Sequence, residues 1–469
     1  MTENSMSDGH RHYWQDMNLP QMLADHPIGD DFLRFATETS RDALWARQNR
    51  LFLRCVDRAW GTPFYRHLWG ERGIERGDIR SLEDLPRLPI YGKSDIMASL
   101  ERAPPLGDFA GFESYPPGQR PPVILHTTSG TTGKPQVVLF GPKSREMENL
   151  LAARIYRFQG MRPDDIVHSV YGHGMINAGH YMREAIAHWT SAILLPAGTG
   201  IETRSVKQVE LMRNFGVTVI IGFADYIKKL ATVAREEGFE PGRDIPVRMI
   251  SGQLGREDRA TISAAWGGAE CFDWYGVADT GCIAGEGPDR DGLYVMEDAH
   301  VLEVCDIDTG APVADGELGD MICTCLFKDD LYPIIRFNTH DVTRVKTGES
   351  SLGIMLRRIE GFLGRSDNMV KIRGINIFPQ AIGPMLIDHP AFAQEFICRA
   401  TRTEGRDRFI VVAEATTRDE EVAQAFSEIL KRKIGIEVEV ELVGAGETAP
   451  LTQIDSRQKP IRLIDDRFK

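Results

Sequence analysis

Residues 126–135 read His-Thr-Thr-Ser-Gly-Thr-Thr-Gly-Lys-Pro, set between two β-rich runs at 123–125 and 137–140. Glycines let backbone amides turn inward toward an anion, and neighbouring hydroxyls can hydrogen-bond phosphate oxygens or order Mg2+. This is not a Walker A loop, which needs Gly at 128 and Ser or Thr at 135, where the chain has Thr128 and Pro135. Ser, Thr and Gly are common in plain surface loops. A chance match to the seven residues from Ser129 to Pro135 is nevertheless on the order of one in a million per chain.

Outward from this loop, short β-rich runs alternate with helical patterns: 166–171, 192–196, 217–222, 248–250 and 270–275. Such alternation predicts an α/β fold with a doubly wound, mostly parallel sheet. Between 294 and 345 the strands crowd together and turns such as Asp315-Gly316 intervene, predicting an antiparallel sheet or small barrel. Residues 31–60 carry Leu33, Phe35, Leu44, Leu51, Leu53 and Val56 at helical spacing. The stretch 361–376 concentrates glycine and charge, so the chain is expected to divide into 1–366 and a small α+β domain, 367–469. That second domain is expected to hold strands at 396–401, 409–415 and 437–443, and a helix from Arg418 opened by a Thr417–Glu420 capping box.

With 469 residues the chain is too long for one small fold. Fifty-five Lys and Arg against 68 Asp and Glu leave a net charge of −13, which argues against nucleic acid or an anionic membrane as partner. No run approaches 18 apolar residues, and no apolar leader is visible. Seven cysteines, an odd number, do not read as a disulfide framework. A reducing, cytoplasmic setting is expected, and a homodimer is permitted.

Several spaced motifs give the loop a context. Ser129 to Pro135 resembles the phosphate-binding motif of the adenylate-forming enzymes (acyl-CoA synthetases, peptide-synthetase adenylation domains and luciferases). TSGTTGKP is most similar to the SSGTTGKP of the phenylacetate–CoA ligase-like branch. The resemblance runs from about Pro63 to the C-terminus. It implies ATP and AMP binding by Ser129, Gly130, Thr131, Thr132, Gly133 and Lys134. His180-Tyr181 and Glu184 resemble HYGAE beside the acyl pocket. Ser251-Gly252-Gln253 stands where the family has GAE beside adenine, with Gln253 replacing Glu. Tyr275-Gly276-Val277-Ala278-Asp279 resembles YGxSE, which implies that Tyr275 and Gly276 meet adenine and that Asp279 holds Mg2+. Residues 335–341, IRFNTHD, are similar to IRYRTRD, making Asp341 the ribose acceptor. GRSDNM at 364–369 resembles GRSDDM, which implies a nucleotide role for Arg365 and a hinge at Asp367. Residues 373–379 match RGVNVFP closely. Lys459-Pro460-Ile461-Arg462 falls where the family has GKAxR. The resemblance therefore implies catalytic roles for Lys459, Thr132 and Asp279.

The activity it implies is that of an acid–CoA ligase for an aromatic or arylalkyl carboxylate, using ATP, Mg2+ and CoA, with a C-terminal lid that rotates between half-reactions. Transfer to a carrier-protein thiol or an amine is the alternative, as is AMP transfer to a deazaflavin hydroxyl. A nucleotide-binding regulator is the non-enzymatic reading, encouraged by Gln253, Ala278 and Gln458. Acyl-pocket candidates are Tyr171, His173, Asn177, His180 and Phe223, with Gly222 and Gly252 nearby. Lys371, Arg373, Lys431, Arg432 and Lys433 are either a CoA-binding surface or a solvated basic face. His168, His173, His180 and His188 lack a ligand-like spacing. Cys323 and Cys325 share one face of an expected strand but lack a second pair, so they read as buried free thiols with no zinc.

Overall fold

The computed structural model describes residues 12–116, 119–128, 136–254, 259–372, 375–403, 406–454 and 460–467. It falls into two compact units. The larger holds the described residues through Leu254, then Arg259–Thr339 and Arg344–Gly361; the smaller holds His340–Thr343 and the chain from Phe362 onward.

In the larger unit, β1 (Ile124–Thr127) and β2 (Val137–Phe140) form an antiparallel hairpin, with Thr127 opposite Val137. Seven more strands come next in the chain: β3 (Ile166–Ser169), β4 (Ile193–Pro196), β5 (Val219–Ile221), β6 (Met249–Gly252), β7 (Glu270–Val277), β8 (Gly281–Glu286) and β9 (Leu293–Val295). Beyond them lie β10 (His300–Cys305), β11 (Gly319–Cys325), β12 (Phe337–Thr343) and β13 (Arg358–Ile359). The eight-stranded sheet runs β13-β9-β8-β7-β6-β5-β3-β4. Its β7-β6-β5-β3-β4 portion is parallel, and β7-β8-β9-β13 is antiparallel. Helices Ser205–Phe215 and Ala224–Glu236 lay Val209, Met212, Ile227 and Leu230 against Ile220 and Ile250 of the sheet. Each such side chain contributes about 1.5–3 kcal/mol when fully buried.

β10 pairs antiparallel with β11, and β12 is next in the same open sheet. The described residues show no closed barrel. Two helices near the N-terminus, Gly29–Glu38 and Arg41–Trp60, lie where the apolar spacing places them.

The smaller unit contains the second half of β12, which pairs with β14 (Gly364–Arg365), Asp341 opposite Arg365. β15 (Val370–Ile372) and β16 (Ile375–Ile377) make a hairpin. A four-stranded sheet is built from β17 (Phe392–Thr403), β18 (Arg406–Ala415), β19 (Glu439–Val443) and β20 (Leu463–Asp465), in the order β19-β18-β17-β20. Helix Glu420–Ile434 buries Phe426 and Leu430 in this unit's own core. It starts two residues later than expected, with Asp419 at the N-cap. Thr417 therefore lies outside the helix and the Thr417–Glu420 capping box does not form.

Candidate active site

The chain leaves β3 toward β4 on one side and returns as β5 on the other. The carboxyl ends of β3 and β5 are therefore a topological switch point, where open α/β sheets leave a crevice. Because β3 stops at Ser169, Tyr171 lies beyond it, and Phe223 stands just past β5. Their rings meet edge to face at 5.1 Å. The buried Tyr171 hydroxyl donates to the Gly222 carbonyl at 3.5 Å, and burial pushes its pKa far up. Glycine is required at 252: a Cβ there would lie 1.9 Å from the Gly222 carbonyl oxygen.

Ser251 Oγ donates to Gln159 Oε1 at 2.6 Å, and Gln159 Nε2 donates to the Asp273 carbonyl at 3.0 Å. The serine hydroxyl is thus turned into the core. Gln253 Nε2 donates to the Gly276 carbonyl at 2.9 Å. A carboxylate has no proton to give there, which accounts for Gln in place of Glu. Tyr275 is buried in β7, its hydroxyl donating to Thr339 Oγ1 at 3.3 Å.

The β1–β2 hairpin carries the phosphate-loop motif, its ends tied by the Thr128 N–H donating to the Gln136 carbonyl at 3.0 Å. Ser129, Gly130, Thr131, Thr132, Gly133 and Lys134 lie outside the described residues, as do Arg373 and Lys459. Gln136, the next residue, donates its amide to Asp279 Oδ1 at 2.6 Å, and the Tyr332 hydroxyl donates to the same oxygen at 2.7 Å. Burial raises the Asp279 pKa despite both bonds.

Around this carboxylate lies a polar core that sequence reading missed. Lys328 is fully buried, with Nζ 4.4 Å from the Phe140 ring centroid and 4.9 Å from that of Tyr332. It has no hydrogen-bond partner among the described residues. Burial lifts Glu148 to about 7, opposed by the charges of Lys328 and Arg145. Asn177 donates to Glu148 Oε2 at 3.1 Å and to the Ala278 carbonyl at 3.2 Å, and accepts from Arg145 at 2.7 Å. Its side chain is therefore spent on this network. Arg145 also donates to His126 Nε2 at 2.5 Å; burial, then the Arg145 charge, brings His126 down to about 4, so its ring is neutral. His180 stacks on His126 with centroids 4.7 Å apart and donates to the Gly174 carbonyl at 2.7 Å, and His173 lies 6.0 Å from His180. Arg145 and Glu148 sit on helix Pro142–Phe158, which also buries Glu146 and Arg154.

In the smaller unit three expected residues come together. Arg365 Nη1 donates to Asp341 Oδ1 at 2.8 Å, while its Nε and Nη2 hold Asp367 at 2.7 and 2.6 Å. Lys431, Arg432 and Lys433 occupy the last turn of helix Glu420–Ile434, where cations suit the helix dipole. Lys433 donates to the Met385 carbonyl at 3.0 Å, and Lys431 lies 3.8 Å from Glu437. These contacts favour the plain structural reading of that cluster.

Comparison with known proteins adds a lineage to this geometry. Residues 374–467 match the AMP-binding enzyme C-terminal domain. The phenylacetate-coenzyme A ligase of Pseudomonas putida is 31% identical over 407 residues, covering 82% of this chain and 86% of that protein. The chain belongs to the phenylacetate–CoA ligase-like branch of the adenylate-forming enzymes. The Escherichia coli phenylacetate-coenzyme A ligase is 28% identical, over 87% and 92% of the two chains. Among solved structures, a 2-hydroxyisobutyryl-CoA ligase in its postadenylation state has a TM-score of 0.77 at 26% identity, covering 92% of each chain. The same enzyme with CoA in the thioesterification state scores 0.65 at 27% identity, covering 93% of this chain and 92% of that one. The chain is thus an ATP-dependent acid–CoA ligase that works through an acyl-adenylate. No helix among the described residues is long and apolar enough to cross a membrane.

Proposed function

We propose that this ligase activates an aromatic or arylalkyl carboxylate. The carrying observation is the Tyr171–Phe223 ring pair at the switch point, where an aromatic ring finds edge and face partners. The phenylacetate specificity of the curated relatives supports the same class. The acid's carboxylate oxygen attacks the α-phosphorus of ATP and pyrophosphate leaves; the CoA thiol then attacks the acyl carbon and AMP leaves.

Charge builds on the phosphates in the first step, so fixed donors aimed there are the most effective catalysts. We assign that work to Thr132, the other loop residues from Ser129 to Lys134, and Lys459. Tyr275, Gly276, Ser251, Gly252 and Gln253 line the adenine side, the serine through its backbone. Asp341 accepts from the ribose hydroxyls, and Arg365 orients it. Asp367 serves as the hinge between 1–366 and a mobile lid at 367–469. His173 and His180 border the acyl end, and Asn177 positions the wall behind them.

The donor set around Asp279 fits Mg2+: a hard carboxylate, held one residue from the phosphate loop, whose burial a divalent cation offsets. When bound, Mg2+ neutralises phosphate charge. A cytoplasmic setting suits seven buried, unpaired cysteines.

The test is pyrophosphate release against a panel of aryl, arylacetic and fatty acids, followed by CoA dependence of thioester formation. Arylacetic or aryl acids should dominate; a preference for fatty acids refutes the substrate class. Lys459→Ala should slow adenylation by about 10²–10³ and spare thioester formation from supplied acyl-AMP. Equal loss in both steps removes the lysine assignment.

A further inference from the structure

His300 opens β10 directly opposite Cys325 of β11, and Cys323 lies two residues back on the same face of β11. One nitrogen and two sulfurs from these side chains fall within 4.8 Å of one another, all fully buried. They are the one such group of three metal-capable side chains among the described residues. The imidazole is oriented from behind, since Nε2–H donates to the Thr280 carbonyl at 3.2 Å. That bond fixes the tautomer and leaves Nδ1 as a bare lone pair, buried without a hydrogen-bond partner. A histidine anchored through one nitrogen to a carbonyl, with the other free, has the arrangement that metal-ligating histidines show.

We propose that His300 Nδ1, Cys323 Sγ and Cys325 Sγ form a structural zinc site inside the larger unit. Two thiolates and an imidazole are the soft and borderline donors that zinc takes in structural sites. Zinc–ligand bonds of about 2.0–2.3 Å put tetrahedral donors roughly 3.5–3.8 Å apart, so the side chains close in by about 1 Å. Cys55, on helix Arg41–Trp60, lies beside the three but is not one of the side chains that converge. It is fully buried, and its thiol reaches the Cys325 carbonyl at 3.4 Å.

The charge balance suits a dry interior. One Zn2+ displaces a proton from each of Cys323 and Cys325, and the resulting core of two thiolates, one imidazole and the ion is neutral. The site would pin β10 to β11 and hold Thr280 through His300, one residue from Asp279.

Elemental analysis of the full chain, made without an affinity tag and dialysed after zinc loading, should find about one zinc per chain. The Cys323→Ser/Cys325→Ser double variant should fall below about one tenth of that. Should that variant fail to fold, metal-stripped wild-type protein titrated with Co2+ alone should develop a thiolate-to-cobalt charge-transfer band and release about two protons per ion. Wild-type protein that keeps less than about one tenth of an equivalent of zinc and shows no such band with Co2+ overturns the proposal. So does zinc retained undiminished by the double variant; the thiols are then ordinary core residues.

Discussion

Lys328, Glu148 and Asp279 in the larger unit are sealed from water, whereas Arg365, which joins Asp341 to Asp367 in the smaller unit, keeps 34% of its side chain exposed. Each group sets two carboxyl side chains against one cation. In the first, desolvation dominates: Asp279 and Glu148 are both raised, with burial as the leading cause. In the second, water reaches Arg365 and Asp367 and screens their pair, although Asp341 is buried. Buried charges hold one arrangement at a high cost for any loss, while half-exposed ones can change partners cheaply. That suits a fixed anchor at Gln136 and an adjustable contact where ribose and hinge are assigned.

The contrast is sharpest at Lys328. Replacing it with Met keeps the stem and removes the ammonium, leaving two buried carboxyls without their cation. Chemical denaturation at pH 8 should show a loss of about 3–5 kcal/mol. At pH 5 the loss should be smaller, because Glu148, raised to about 7, then carries a proton. An equal loss at both pH values breaks the electrostatic account.

Glu148 gives the next largest effect. Its pKa rises from 4.5 in the open chain to about 7 in the fold. The folded state therefore holds the proton more tightly than the unfolded chain. Its contribution is fully present below pH 4.5 and is lost as pH climbs to 7, on the order of 3 kcal/mol in all. Glu148→Gln should remove that limb from the stability profile, so that the difference between variant and wild type changes by about 3 kcal/mol from pH 4.5 to 7. Two curves that stay parallel from pH 4.5 to 7 contradict it.

In the smaller unit, Asp341→Ala should weaken AMP and ATP binding by about 1.5–3 kcal/mol, read by calorimetry. Unchanged affinity in a folded variant removes the ribose assignment. Arg365→Gln should change stability least, by under about 1 kcal/mol, with the difference shrinking as salt is added. A loss as large as that of Lys328→Met would mean that the two regions are held alike.

Gln253 was legible as a departure from the family pattern, but its reason was not. The acceptor it serves, the Gly276 carbonyl, lies 23 positions away on the next strand. Asp279 was legible from its motif, yet its neighbours Gln136, Tyr332 and Lys328 were not. They come from a hairpin and a loop with no shared spacing. His300 was missed for the same reason: it faces Cys325 only because β10 and β11 pair in that register.

The sequence by itself determined the alternation that makes a doubly wound sheet, the concentration of glycine and charge across 361–376, and the order of the nucleotide motifs. Those are local properties: turn chemistry, hydrophobic period and contiguous residues. Only the tertiary structure decided which charges are buried. Helix Pro142–Phe158 carries Arg145, Glu146, Glu148 and Arg154, and packing from several sides seals all four. Burial depends on what covers a residue, and the covering strands and rings here come from positions far along the chain.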